Sequence, residues 1–111
     1  MVSSSESPGE KIELELRRGA LVLAVLSRLR KAEYGYSLRQ ALAERNMPIE
    51  EGTLYPLLRR LEQQGLLTSE WRIQDGPPRR YYVLSTEGAK VYRELTKNWR
   101  ALVATMSGLL D

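Results

Sequence analysis

Arg59 and Arg60, with Thr53, Tyr55 and Pro56 just ahead of them, carry the most chemistry in this sequence. They lie in EGTLYPLLRRLEQQG, residues 51–65. A guanidinium is a planar fork of donors that suits phosphate oxygens and guanine edges better than a lysine point charge does. At helical spacing Leu54, Leu57, Leu58 and Leu61 fall on one side. Gly52, Pro56, Arg59, Arg60 and Gln63 fall on the other, with Thr53 and Tyr55 at its borders. An apolar stripe thus backs a face able to grip an anion, although an ordinary amphipathic surface helix has the same pattern. Pro56 has no amide proton, so it is expected in the first turn, with a cap near Gly52 or Thr53. A rigid helix start presented outward is what a helix-turn-helix needs, because the first half of its second helix enters the major groove.

Other chemistries are closed. The chain has no cysteine and no histidine, which removes disulfides, thiol nucleophiles, the usual zinc sites and imidazole acid/base catalysis. No nucleophile stands beside a base; Glu51 reads as a helix-start charge and Glu62 as part of a solvated face, so the chain is not expected to be an enzyme. No cofactor is expected. The net charge of +3 permits a nucleic-acid partner without requiring one. The apolar run over residues 20–26 is far short of the roughly 20 residues a membrane span needs, and no charged leader precedes it. A soluble, cytoplasmic protein is expected.

The elements that position the arginines follow from periodicity. Residues 1–9 are serine-rich with nothing to bury, and are expected to be disordered. A helix is predicted over residues 10–31, its centre ALVLAVL apolar on all sides and so in contact with neighbours on more than one face. Gly35 marks a break, and Ser37 is placed to cap a second helix running to Asn46, with Leu38, Ala41 and Leu42 as its buried stripe. Asn46 and Pro48 end it and lead into the third helix, giving the helix-turn-helix outline.

After Gly65 the period changes. Leu67, Ser69, Trp71 and Ile73 alternate with Thr68, Glu70 and Arg72, QDGPP makes a loop, and RRYYVLS makes a second strand. The resulting hairpin is a wing, with Arg72, Arg79 and Arg80 near its tip, able to lie along a DNA backbone or to serve only as a solvated edge. Ser85 or Thr86 caps a last helix, in which Tyr92, Leu95, Trp99, Leu102, Met106 and Leu109 recur in steps of three and four. That seam is expected to pack against the first helix, through Leu16 and Leu23, and against a symmetry mate in a twofold dimer. Packing on its own domain is the alternative.

The fold class is therefore mainly α with a β-hairpin wing. It is a winged helix-turn-helix over residues 10–85, followed by a C-terminal dimerisation helix over residues 86–111.

These residues resemble the PadR-like transcriptional regulators. The resemblance rests on Gly35-Tyr36, on EGTLYPLLRRLEQQGLL at residues 51–67, on Ser69-Glu70-Trp71, and on RRYYVLSTEG at residues 79–88. It covers nearly everything from the first helix onward. It implies a dimeric winged-helix repressor of the short subfamily, bound to an inverted repeat in double-stranded DNA and often released by a small aromatic or drug-like effector. In some multidrug-responsive members a tryptophan of the last helix lines a cavity at the dimer centre; Trp99 is the matching position, and seam packing explains it equally. Two positions depart from the pattern. Tyr34 stands where the family often has histidine, and Pro77 and Pro78 occupy a wing tip that is more basic in many relatives.

On this reading Thr53, Tyr55, Pro56, Arg59 and Arg60 face the major groove or its walls. Tyr36 and Ser37 hold a phosphate at the start of the second helix, and Arg79 and Arg80 secure the flank. The rival is a winged-helix protein-interaction module that uses the same face without binding DNA; weak dependence on salt would mark it.

Overall fold

A computed structural model describes residues 6–111. In chain order the elements are α1 (Pro8–Arg28), β1 (Glu33–Tyr34), α2 (Gly35–Glu44), α3 (Glu51–Gln63), β2 (Leu67–Arg72), β3 (Arg79–Leu84) and α4 (Thr86–Leu110). No helix among the described residues is long and apolar enough to cross a membrane.

The start of α1 corrects the sequence expectation. The Ser7 hydroxyl accepts from the Glu10 N–H while the Glu10 carboxylate accepts from the Ser7 N–H, a reciprocal cap that satisfies two otherwise orphaned donors. Pro8 takes the first helical position, where its missing N–H costs nothing. Ser7 is thus an ordered cap and Pro8 and Gly9 are helical; residues 1–5 of the expected disordered lead-in lie outside the described residues. The far end of α1 also stops early, at Arg28, because Glu33 and Tyr34 leave the helical path to pair with Tyr82 and Tyr81 of β3.

Two helix ends are closed by the same device. Asn46, at φ 64°, lets the Met47 N–H reach the Leu42 carbonyl at 2.9 Å and ends α2. Gly65, at φ 82°, lets the Leu66 N–H reach the Leu61 carbonyl at 3.0 Å and ends α3. The start of α2 differs from expectation. Tyr34 is its N-cap and makes no side-chain bond, whereas Ser37 sits inside the first turn and donates its hydroxyl to the Tyr34 carbonyl at 3.0 Å.

The sheet is three-stranded and antiparallel, in the order β1-β3-β2. Its register sets Leu67 opposite Leu84, Trp71 opposite Arg80 and Arg72 opposite Arg79. Ile73, expected in the strand, lies beyond β2 and is exposed. The core is made by Val25 and Leu26 of α1 with its C-cap Leu29, Leu38 and Leu42 of α2, Ile49 before α3, the leucines of α3, and Leu67 and Tyr82 of the sheet. Each fully buried leucine, such as Leu26, Leu38, Leu54 and Leu58, contributes about 1.5–3 kcal/mol.

Helix α4 is fastened at its first turn. Ser85 donates its N–H to the Leu66 carbonyl and its hydroxyl to the Gly65 carbonyl, and the same hydroxyl accepts from the Gly88 N–H at 2.9 Å. Gly88 lies so close to the Leu66 carbonyl that no Cβ fits between them. Beyond this knot both long helices run free: residues 8–19 of α1 and residues 97–110 of α4 are exposed. Within the apolar centre of α1, only Val25 and Leu26 are buried and residues 20–24 are half-covered.

Candidate nucleic-acid interface

The two faces of α3 divide as the spacing requires. Leu54, Leu57, Leu58 and Leu61 are buried, while Thr53, Pro56, Arg59, Arg60 and Gln63 are exposed. Tyr55 departs from the expected outward set: its ring seats against Gly35, where a side chain on α2 would otherwise stand. It locks the starts of α2 and α3 together and lines the cleft beside them. Pro56 also departs, because α3 begins earlier than Gly52. The N-cap is Glu50, which makes no side-chain bond, so the proline falls in the second turn. Its missing N–H leaves the Gly52 carbonyl without an intrahelical donor, on a face where water can supply one.

The helix-turn-helix is held by a residue the sequence reading passed over. Arg39 of α2 donates its Nε–H to the Ile49 carbonyl and its Nη1–H to Glu51 Oε1, each at 3.1 Å. One planar fork thus spans the turn and pins the start of α3, which suits arginine and not lysine. Tyr36 is exposed beside it, its hydroxyl accepting from Gln40 Nε2 at 2.9 Å.

The wing arginines have different surroundings. Arg79 lies with its guanidinium carbon 4.6 Å from the centre of the Tyr34 ring. Arg72 stacks over Tyr81 at 4.3 Å and pairs with Glu70 at 2.9 Å. Arg80 turns inward: Nη2 lies 3.1 Å from Glu62 Oε1 on α3, and Nε donates to Ser69 Oγ at 3.0 Å. Glu62 is therefore not part of a solvated face; it is bonded to the wing. Between α3 and the wing lies a cleft of about 350 Å³, with Tyr55 and Arg59 on one side and Trp71, Arg79 and Arg80 on the other. Among the described residues Arg59, Arg60 and Arg79 have no carboxylate partner, so this face is more positive than the net charge suggests.

The expected dimer residues split in two. Leu16, Leu95, Trp99, Leu102, Met106 and Leu109 are exposed, Leu16 and Leu109 by 78% and 72%. Leu23 is half-covered. Tyr92 is half-covered, packs against its own domain's core and lies beneath Arg30.

Residues 22–94, which contain all of the helix-turn-helix, the wing and the start of α4, match the transcriptional regulator PadR-like family. The chain belongs to the PadR-like family of transcriptional regulators. Solved PadR structures share its architecture. A PadR family transcriptional regulator from Eggerthella lenta is 50% identical, with a TM-score of 0.85, covering 92% of this chain and 91% of that one. A PadR family regulator from Clostridium difficile is 30% identical, with a TM-score of 0.77, covering 84% of this chain and 100% of the other. Among sequences, transcriptional regulator Rv3488 of Mycobacterium tuberculosis is 40% identical over 89 residues, which is 79% of this chain and 80% of the relative. The winged-helix fold read from the sequence is the fold of these PadR relatives, and the relatives are regulators of transcription.

Proposed function

We propose that this PadR-like chain is a sequence-specific DNA-binding repressor that works as a twofold dimer in the cytoplasm. The observation that carries this reading is the outward face of α3, where Arg59 and Arg60 stand exposed without a carboxylate partner among the described residues. Thr53, Pro56, Arg59 and Arg60 read the major groove of an inverted repeat in double-stranded DNA. Tyr55 supports them from behind. Tyr36 and the uncapped amides at the start of α2 meet a backbone phosphate, to which Ser37 adds little because its proton is committed to Tyr34. Arg79 meets the flanking backbone.

The free ends of α1 and α4 support the dimer. Leu16 on α1 and Leu95, Trp99, Leu102, Met106 and Leu109 on α4 are exposed apolar side chains that a second copy covers, leaving two α3 helices about 34 Å apart, one turn of duplex. Trp99, partly exposed within that surface, takes a small aromatic effector whose entry shifts the two halves relative to each other.

Retention of promoter fragments recovered with the protein from genomic DNA tests the reading. Wild type holds them with a steep loss as salt rises, and an Arg59→Ala/Arg60→Ala variant releases them. Equal retention by both proteins, or binding indifferent to salt, sinks the proposal. Quenching of fluorescence by planar aromatics, lost in Trp99→Ala, tests the effector.

A further inference from the structure

Arg80 has the sequence position of a flank-gripping cation, yet its guanidinium faces α3. A closed ring of bonds holds it there. Glu62 on α3 accepts from Arg80 Nη2 at 3.1 Å and from the Ser69 hydroxyl at 2.6 Å, while Ser69 Oγ accepts from Arg80 Nε at 3.0 Å. The three residues come from α3, β2 and β3. Ser69 pairs with Tyr82 and Trp71 with Arg80 across the hairpin, so Ser69 and Arg80 project from the sheet face that carries buried Leu67 and Tyr82. All three of the ring's bonds join a full charge to a full charge or a hydroxyl, the stronger class of hydrogen bond.

The ring matters because of how the wing is attached. The hairpin leaves α3 at the tight turn of Gly65 and Leu66, and its base is tied to Leu29 and Leu66 by the Leu84 and Ser85 amides. Farther out, β1 pairs with β3 at Tyr81 and Tyr82 and ties that strand to the start of α2. Neither the base nor β1 fixes the hairpin against α3. The ring at Ser69 and Arg80 makes that bond, from the strands directly to the reading helix.

We propose that Glu62, Ser69 and Arg80 form a latch that sets the angle between the reading helix and the wing, Arg80 being a positioning residue and not a phosphate contact. The proposal rests on the DNA-binding reading above and deepens it. Phosphate contacts register a protein on a duplex only if the elements that make them keep a fixed separation. Glu62 also cancels one positive charge on this face, leaving Arg59, Arg60 and Arg79 to meet the backbone. A released Arg80 would bind any duplex by charge alone.

The test compares wild type, Arg80→Ala and Glu62→Gln on a duplex enriched from genomic DNA by the wild-type protein, and on a random duplex of equal length, across a salt series. Arg80→Ala is expected to leave the slope of log K against log salt unchanged while lowering preference for the enriched duplex about tenfold. Glu62→Gln, which removes the carboxylate charge opposing the guanidinium and loosens its hold, is expected to steepen the slope on random duplex by about 0.9, one added phosphate contact, with a similar loss of preference. In the free protein, amide exchange across β2 and β3 is expected to speed about tenfold in both variants. A slope shallower by about 0.9 in Arg80→Ala identifies a phosphate contact and overturns the latch. Unchanged exchange in both variants overturns it too. If wild type retains no duplex at any salt, the DNA-binding reading fails separately, and the exchange measurement still decides whether the ring holds the wing.

Discussion

The Tyr55 ring fills the space that a side chain on Gly35 would need, so the second and third helices touch through a tyrosine resting on bare backbone. The contact involves the far edge of the Tyr55 ring and its hydroxyl, so to admit a Cβ the tyrosine must turn out of its seat or α3 must shift. Gly35→Ala is expected to destabilise the protein by about 1–3 kcal/mol, the usual result of overpacking. Urea unfolding measures it. A midpoint equal to wild type would mean that the tyrosine swings away freely.

Gly88 makes a second such contact, but against backbone. A Cβ there meets the Leu66 carbonyl, which is itself held by the Ser85 N–H. Gly108, in the same helix, has open space around it. The two substitutions to alanine should therefore have opposite signs. Gly88→Ala destabilises, and Gly108→Ala stabilises by roughly 0.5–1 kcal/mol through helix propensity. Thermal melts of the pair check this, and matching shifts would contradict the packing argument.

Ser85 carries four hydrogen bonds at this junction, the fourth from the Ala89 N–H to its carbonyl. Loss of its hydroxyl removes both the cap of α4 and the bond to Gly65. Ser85→Ala is expected to cost about 1–2 kcal/mol, at the upper end for an N-cap. Hydrogen exchange in the first turn of α4 should accelerate by more than it does in the middle of α3.

The chain has no histidine, and a tyrosine at the sheet centre adds a pH dependence on the alkaline side. Burial raises the Tyr82 hydroxyl above its ordinary 10.0; Arg80 and Arg59 pull it down, Glu62 and Tyr55 push it up, and burial prevails. The folded chain thus holds this proton more tightly than the unfolded chain does. Its contribution is fully present below pH 10.0 and is lost as pH rises through the higher folded value. As pH rises above 10.0, wild type should lose more stability than Tyr82→Phe, as followed by denaturant midpoints.

Much of this architecture is written locally. Leu54, Leu57, Leu58 and Leu61 repeat at the helical period, and the alternation through Leu67, Ser69 and Trp71 marks a strand, because each pattern is complete within its own segment. What escaped notice depends on distant partners. Glu33 and Tyr34 have no strand signal of their own and pair only because β3 lies beside them. Arg80 and Glu62 are 18 residues apart and Arg39 and Glu51 are 12 apart, so no periodicity brings either pair together. Pro56 was set one turn too early for a different reason. Glu50 makes no capping bond, and nothing local announces where α3 begins.

In the proposed dimer, the bare outer turns of α1 and α4 make folding a matter of mass action. Each turn left uncovered in a lone copy frays at little cost, and each gains neighbours only when another copy arrives. Dilution should therefore melt this protein at lower temperature, and crowding many copies together should raise its Tm, even though no residue of the leucine core has changed.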